Sequence, residues 1–110
     1  MVFEARLKTS VWVSAEIKRC EGLFISAVVL HKGDKERGLV LIKRFVVAQG
    51  CKIYTQTRDE ADNLAWHQPL GDEFIAEQKA DSYIRRQRDF DEDLWVIEVD
   101  DIKGQYKPAV

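Results

Sequence analysis

Hydrophobic positions recur along this chain with two different periods. In the segment that opens at Thr9, Val13, Ile17 and Cys20 fall at helical spacing while Glu16, Lys18 and Arg19 are left for water. Thr9 and Ser10 stand where an N-cap belongs, and Gly22 ends the run, so a first helix is predicted there. From Leu23 to His31 the chain reads LFISAVVLH, apolar on both alternating faces and rich in β-branched residues, which predicts a strand in the middle of a sheet. A second apolar run, Leu39 to Val47, follows a polar loop holding Gly33 and Gly38, and Gln49-Gly50 leads into a third, CKIYTQT. These three strands predict a meander.

A charged connector from Arg58 to Asn63 precedes a short run with Leu64 and Trp66, stopped by Pro69 and Gly71, which reads as a fourth, edge strand. Asp72 to Arg88 reads as the second helix, with acidic residues in its first turn and Arg85, Arg86 and Arg88 in its last, complementing the helix dipole. Ala76, Ala80, Tyr83, Ile84 and Gln87 mark its inner face. Leu94 to Asp100 alternates Trp95, Ile97 and Val99 against Val96, Glu98 and Asp100, a further strand that Lys103-Gly104 turns into a short return through Tyr106. The expected class is α+β: one domain over 1–110, a mostly antiparallel sheet of four to six strands, and two helices packed on one face, in the order α-β-β-β-β-α-β(-β).

Composition narrows the function classes. The 110 residues are 45% hydrophobic and 33% charged, globular proportions for a single core. With 17 basic against 19 acidic residues, the net charge of −2 gives no bulk attraction to nucleic acid or anionic lipid. Glu4 and Arg6, then Glu16 and Lys18, interrupt the apolar residues near the start, so no secretory core forms and no stretch is long enough to span a membrane. A cytoplasmic protein is expected, with Cys20 and Cys51 as free, partly buried thiols.

Each familiar motif fails on a named residue. Gly33 to Gly38 has the glycine spacing of a phosphate loop, but Leu39-Val40 opens a strand where Lys and Ser/Thr should begin a helix, leaving a hairpin loop. Asp89, Asp91 and Asp93 alternate like calcium ligands up to Asp100, yet Leu94 takes the position that needs glycine, so the segment reads as an acidic link with Asp91 or Asp93 capping a turn. His31 and His67 have no partner at ligand-like spacing, and no nucleophile elbow is present. Arg85, Arg86 and Arg88, with Lys18, Arg19, Lys43 and Arg44, sketch an anion-binding surface, but Glu77 and Asp81 lie at four-residue steps before Arg85 and answer that charge. The tryptophans read as core or interface anchors rather than stacking platforms, which argues against nucleic acid.

The pieces Arg6-Leu7, Trp12-Val13-Ser14-Ala15, Lys32-Gly33-Asp34 with Gly38, and the run from Arg88 to Val99 resemble those of a family of short bacterial proteins, domain of unknown function 1491. The resemblance implies no activity, substrate or cofactor. It does direct attention to the helix end, acidic link and tryptophan strand, where Arg85, Arg88, Asp91 and Trp95 form a candidate ligand or partner surface. No residue is assigned a catalytic role, and neither metal nor cofactor is called for. The leading expectation is a non-catalytic interaction module whose partner is a second copy or another protein. The alternatives are a small enzyme or ligand-binding protein using that surface, and a nucleic-acid binder.

Overall fold

The computed structural model describes residues 7–61 and 63–109, so Glu4 and Arg6 lie outside the described residues. The elements are α1 (Thr9–Gly22), β1 (Ser26–His31), β2 (Val40–Val46), β3 (Gly50–Arg58), β4 (Leu64–His67), α2 (Glu77–Phe90) and β5 (Trp95–Asp100). Class and element order are those expected. The return through Tyr106 is a loop rather than a sixth strand, with Tyr106 itself 2% exposed.

Strand order corrects the meander. The sheet runs β1-β5-β2-β3-β4, so only β2, β3 and β4 follow one another, and β5 inserts between β1 and β2. It runs antiparallel to β1, with Val29 opposite Ile97, and parallel to β2, with Ile42 opposite Ile97. The reason lies in the side chains. β2 and β5 are buried on nearly every residue, whereas every second residue of β1 faces solvent. Strands apolar on both faces take the centre, and β1, read as the middle of the sheet, is its edge.

The helices also divide differently from the expectation of one shared face. Val13 and Cys20 of α1 pack with Val40, Ile42, Trp95, Ile97 and Val99, while Ala80 and Ile84 of α2 pack with Leu41, Cys51, Ile53 and Val96. Successive residues of one strand therefore enter opposite cores. Two apolar faces in the central strands require a cover on each side, and one helix supplies each.

Both helices begin in ways the pattern did not anticipate. Thr9 is the first helical residue rather than a cap, and its hydroxyl donates to the Gly38 carbonyl at 2.7 Å. Glu16, assigned to water, is 3% exposed. The second helix starts at Glu77 rather than Asp72, because Ile75 exchanges two backbone hydrogen bonds with Cys51 (2.8 and 2.9 Å) and holds that stretch extended along β3.

Candidate functional site

Two of the segments that carry the family resemblance, the Gly33–Gly38 loop and the start of β5, meet in one place. A Cβ on Gly33 would sit 2.0 Å from the Asp93 carbonyl oxygen, and one on Gly38 would sit 2.4 Å from the same atom. Both positions accept only glycine. The Asp34 amide donates to Asp93 O at 3.0 Å, the Trp95 indole N–H donates to Asp34 O at 2.7 Å, and Trp95 N–H donates to Leu39 O at 2.8 Å. His31 Nδ1 lies 2.9 Å from the Leu94 carbonyl, which can only accept, so Nδ1 carries the proton. The loop between β1 and β2 is thus a crossover clasped over the start of β5 rather than the expected hairpin. Asp34 and Asp91 each turn the chain by accepting from backbone amides two or three residues on.

Trp95 is 4% exposed beneath α1. Arg85 and Arg88 lie in solvent on α2, across the sheet, with Arg85 donating to Ser82 Oγ at 3.4 Å. Asp91 lines a cleft of about 340 Å³ beside Tyr83, Gln87 and His67 on the α2 side. Glu77 and Asp81 do not answer Arg85. They turn inward to Lys43, whose ammonium lies 2.7 Å from Glu77, 2.8 Å from Asp81 and 3.0 Å from Glu98. Burial alone would push the Lys43 ammonium toward neutrality, but the three carboxylates outweigh it and keep the group charged far into the alkaline range.

The opposite face holds a second buried polar network. Arg44 Nε donates to Asp101 Oδ2 at 2.8 Å and Nη1 to the Tyr54 hydroxyl at 3.3 Å. Asp101, 1% exposed, also accepts from the amides of Gln105 (3.0 Å) and Tyr106 (2.8 Å). The Tyr106 hydroxyl donates to Glu16 at 2.7 Å, and Glu16 also takes Arg19 and the Ala109 amide. Burial disfavours ionisation of both carboxyls, yet these donors more than compensate and hold both below the usual range. The network ties the C-terminal stretch down over the sheet. Beside it opens a cleft of about 500 Å³ between that stretch and β2, β3 and β4. The sequence pattern that groups Arg44 with a basic surface patch does not disclose this pairing. Nothing local links positions 44, 54, 101 and 106, so no spacing reveals them.

Exposed apolar residues gather on β1 and at its start. Val28 is 47% and Leu30 is 52% exposed, and among the described residues no strand pairs with the outer edge. Just before β1, the amides of Phe24 and Ile25 bond the carbonyls of Glu21 and Cys20, a Schellman ending to α1 whose left-handed position is Phe24 at φ 58°. Its ring is 98% exposed. A large apolar side chain therefore stands in water on backbone that favours glycine.

Among the described residues no group of three His, Cys, Asp or Glu side chains is arranged to hold a metal ion. Cys20 and Cys51 are free and buried in the two separate cores, and burial raises both thiols to about 11, so neither is a thiolate at neutral pH. Among the described residues no helix is long and apolar enough to cross a membrane.

Comparison with known proteins agrees with the family resemblance. The family described as protein of unknown function (DUF1491) matches residues 7–107, and the chain belongs to it. A crystal structure of a DUF1491 family protein from Caulobacter crescentus is 32% identical, with a TM-score of 0.81 over 91% of this chain and 92% of that one. An NMR structure of a DUF1491 family protein from the same organism gives 32% identity and a TM-score of 0.80 over 93% and 92%. A solution structure from A. tumefaciens, 22% identical with a TM-score of 0.77 over 90% and 89%, shares the fold. No curated protein matches.

Proposed function

We propose that this member of the DUF1491 family is a non-catalytic interaction module, and that its partner is a second copy of the same chain joined along the outer edge of β1. The observation that carries this is the composition of that edge. β1 reads Ser-Ala-Val-Val-Leu-His, with no charge and no proline to block pairing, and its Val28 and Leu30 are about half exposed. Edge strands are ordinarily protected by such residues, and an unprotected apolar one is a template for another strand. The opposite edge, β4, is only four residues long.

Antiparallel pairing of β1 with itself is self-complementary about a two-fold axis. With Val29 on the axis, Val28 faces the partner's Leu30 and Leu30 faces the partner's Val28, two apolar cross-strand pairs on one face. Phe24 then reaches the loop after the partner's β1. A contact of one strand and a few side chains lies at the small end of specific interfaces, so the dimer is a weak, exchanging one. The two free thiols, in separate cores, support a reducing compartment such as the cytoplasm.

Sedimentation velocity from about 5 to 300 µM tests the proposal, a range set by the micromolar affinity expected of so small an interface. Wild type should pass from monomer to dimer across it, and Leu30→Lys, at a half-exposed position, should stay a folded monomer. A wild type that remains monomeric at the top of the range removes self-association. A dimer that Leu30→Lys leaves intact removes the edge.

A further inference from the structure

The cleft between the C-terminal stretch and the sheet is far from β1 and has a different chemistry. Arg44 forms its inner wall. The side chain is 10% exposed and its guanidinium has five N–H donors, of which Nε and Nη1 each make one bond, to Asp101 and Tyr54. No acceptor among the described residues meets the remaining donors, those of Nη2 included, and Nη2 lies beside Gly104, which lines the cleft. Lys52 stands beside it with its side chain 15% exposed, and its ion partner, Asp72 at 3.2 Å, is 82% exposed. That exposed pair is easily exchanged. Among the lining residues Arg44, Lys52 and Lys107 outnumber the one carboxylate, Asp72.

The remaining walls are flat and apolar. Tyr54 and Trp66 line the cleft, and the Phe74 ring lies 4.6 Å from the Lys52 ammonium and 5.7 Å from the Arg44 guanidinium carbon. Trp66 is fixed by its indole N–H, which donates to Ala109 O at 2.8 Å, and by the Trp12 ring at 5.5 Å. Gln68, on the same wall, has a buried carbonyl oxygen with no partner among the described residues. A fixed fork of free guanidinium donors matches a carboxylate in particular, since two parallel N–H groups meet two oxygens. Aromatic walls on either side match a planar group attached to it.

We infer that this cleft is a binding site for a small organic carboxylate carrying a flat apolar group, held by Arg44 and Lys52 between Tyr54 and Trp66. The carboxylate takes the free donors of Arg44 and displaces Asp72 from Lys52, and the planar part lies against the rings. No reaction is assigned to the site. Binding here is independent of β1 pairing, and Leu30→Lys leaves it unchanged.

Benzoate is the probe, with benzamide as its neutral isostere and inorganic phosphate as an anion lacking the flat group. Amide and indole resonances of uniformly labelled protein are followed at low salt. Benzoate should bind with a dissociation constant on the order of 1 mM, as befits so small a ligand, and should shift the Trp66 indole and Tyr54 signals. Lys52→Gln, at a position whose ion pair is exposed, keeps the fold and should weaken benzoate about fivefold or more, the loss of one charge-assisted contact. Arg44→Gln should abolish binding in protein that circular dichroism shows to be folded. No benzoate shifts up to about 20 mM overturn the site, since that is some twentyfold above the expected constant. Benzamide binding as well as benzoate, or benzoate binding untouched by Lys52→Gln, overturns the carboxylate role. Phosphate binding more tightly than benzoate overturns the planar part.

Discussion

Asp101→Asn isolates what the buried network on the α1 side contributes. The two Asp101 oxygens accept three hydrogen bonds, Gln105 N–H on Oδ1 and Tyr106 N–H with Arg44 Nε–H on Oδ2. Asparagine has the same shape but offers one acceptor oxygen. Placed where two donors already converge, that oxygen leaves its NH₂ facing the Gln105 amide, and the charge opposite Arg44 is gone. Arg44, with its side chain only 10% exposed, cannot recover full hydration. Losing one partner of a buried pair costs about 3–5 kcal/mol, and the unsatisfied amide adds to that, so about 4 kcal/mol is expected. That is a large fraction of the roughly 5–15 kcal/mol that holds a domain of this size together.

Urea titration followed by tryptophan fluorescence measures it. With a slope of about 1.5 kcal/mol per molar, the midpoint should fall by more than 2 M. Arg44→Met and the double variant complete a cycle whose coupling should exceed about 1.5 kcal/mol. The pH dependence gives an independent reading. Asp101 and Glu16 are both held below their ordinary range in the folded protein, so each stabilises fully above the unfolded carboxyl value near 4. That stability is lost as pH falls through the lower folded values. Wild type should therefore hold its midpoint from about pH 5 to 7 and lose it steeply below about pH 4, whereas Asp101→Asn should fall less steeply. A midpoint within about 0.3 M of wild type, or an acid limb as steep as wild type, would refute the assignment of this stability to Asp101.

Two further substitutions bear on local geometry. Phe24→Gly places the preferred residue on the left-handed backbone that ends α1 and removes no buried contact, so the melting temperature should rise by about 4–8 °C, equivalent to about 1 kcal/mol. Gly33→Ala drives a methyl into the Asp93 carbonyl, and calorimetry should show a loss of more than about 3 kcal/mol or no cooperative transition at all.

What the sequence disclosed and what it withheld divide along one physical line. Helices and strands were legible because their periods are local. Ala80 and Ile84 mark the inner face of α2, Trp95, Ile97 and Val99 mark one face of β5, and Tyr106 marks the buried return. Strand order was not legible, because it depends on which strands are apolar on both faces relative to one another. LFISAVVLH looks as apolar as β2, but its Val28 and Leu30 are the residues left in water. Ion pairing showed the same limit. A four-residue step joins Glu77, Asp81 and Arg85 along the helix, but a buried ammonium opposite them is a stronger claim on two carboxylates than an exposed guanidinium.

The family motif illustrates why recognition of this fold carries no function with it. Gly33, Asp34, Gly38, Asp93 and Trp95 are fixed by one another through backbone contacts with no room for a Cβ and through an indole bond to a carbonyl. Those constraints are met inside the clasp by backbone groups and the Trp95 indole, which accounts for the glycines and the tryptophan by packing alone. Among the described residues, groups with unmet capacity lie elsewhere: the remaining donors of Arg44 at the cleft and the outer edge of β1. Function in this chain is therefore to be sought where hydrogen-bonding groups and apolar surface remain unspent.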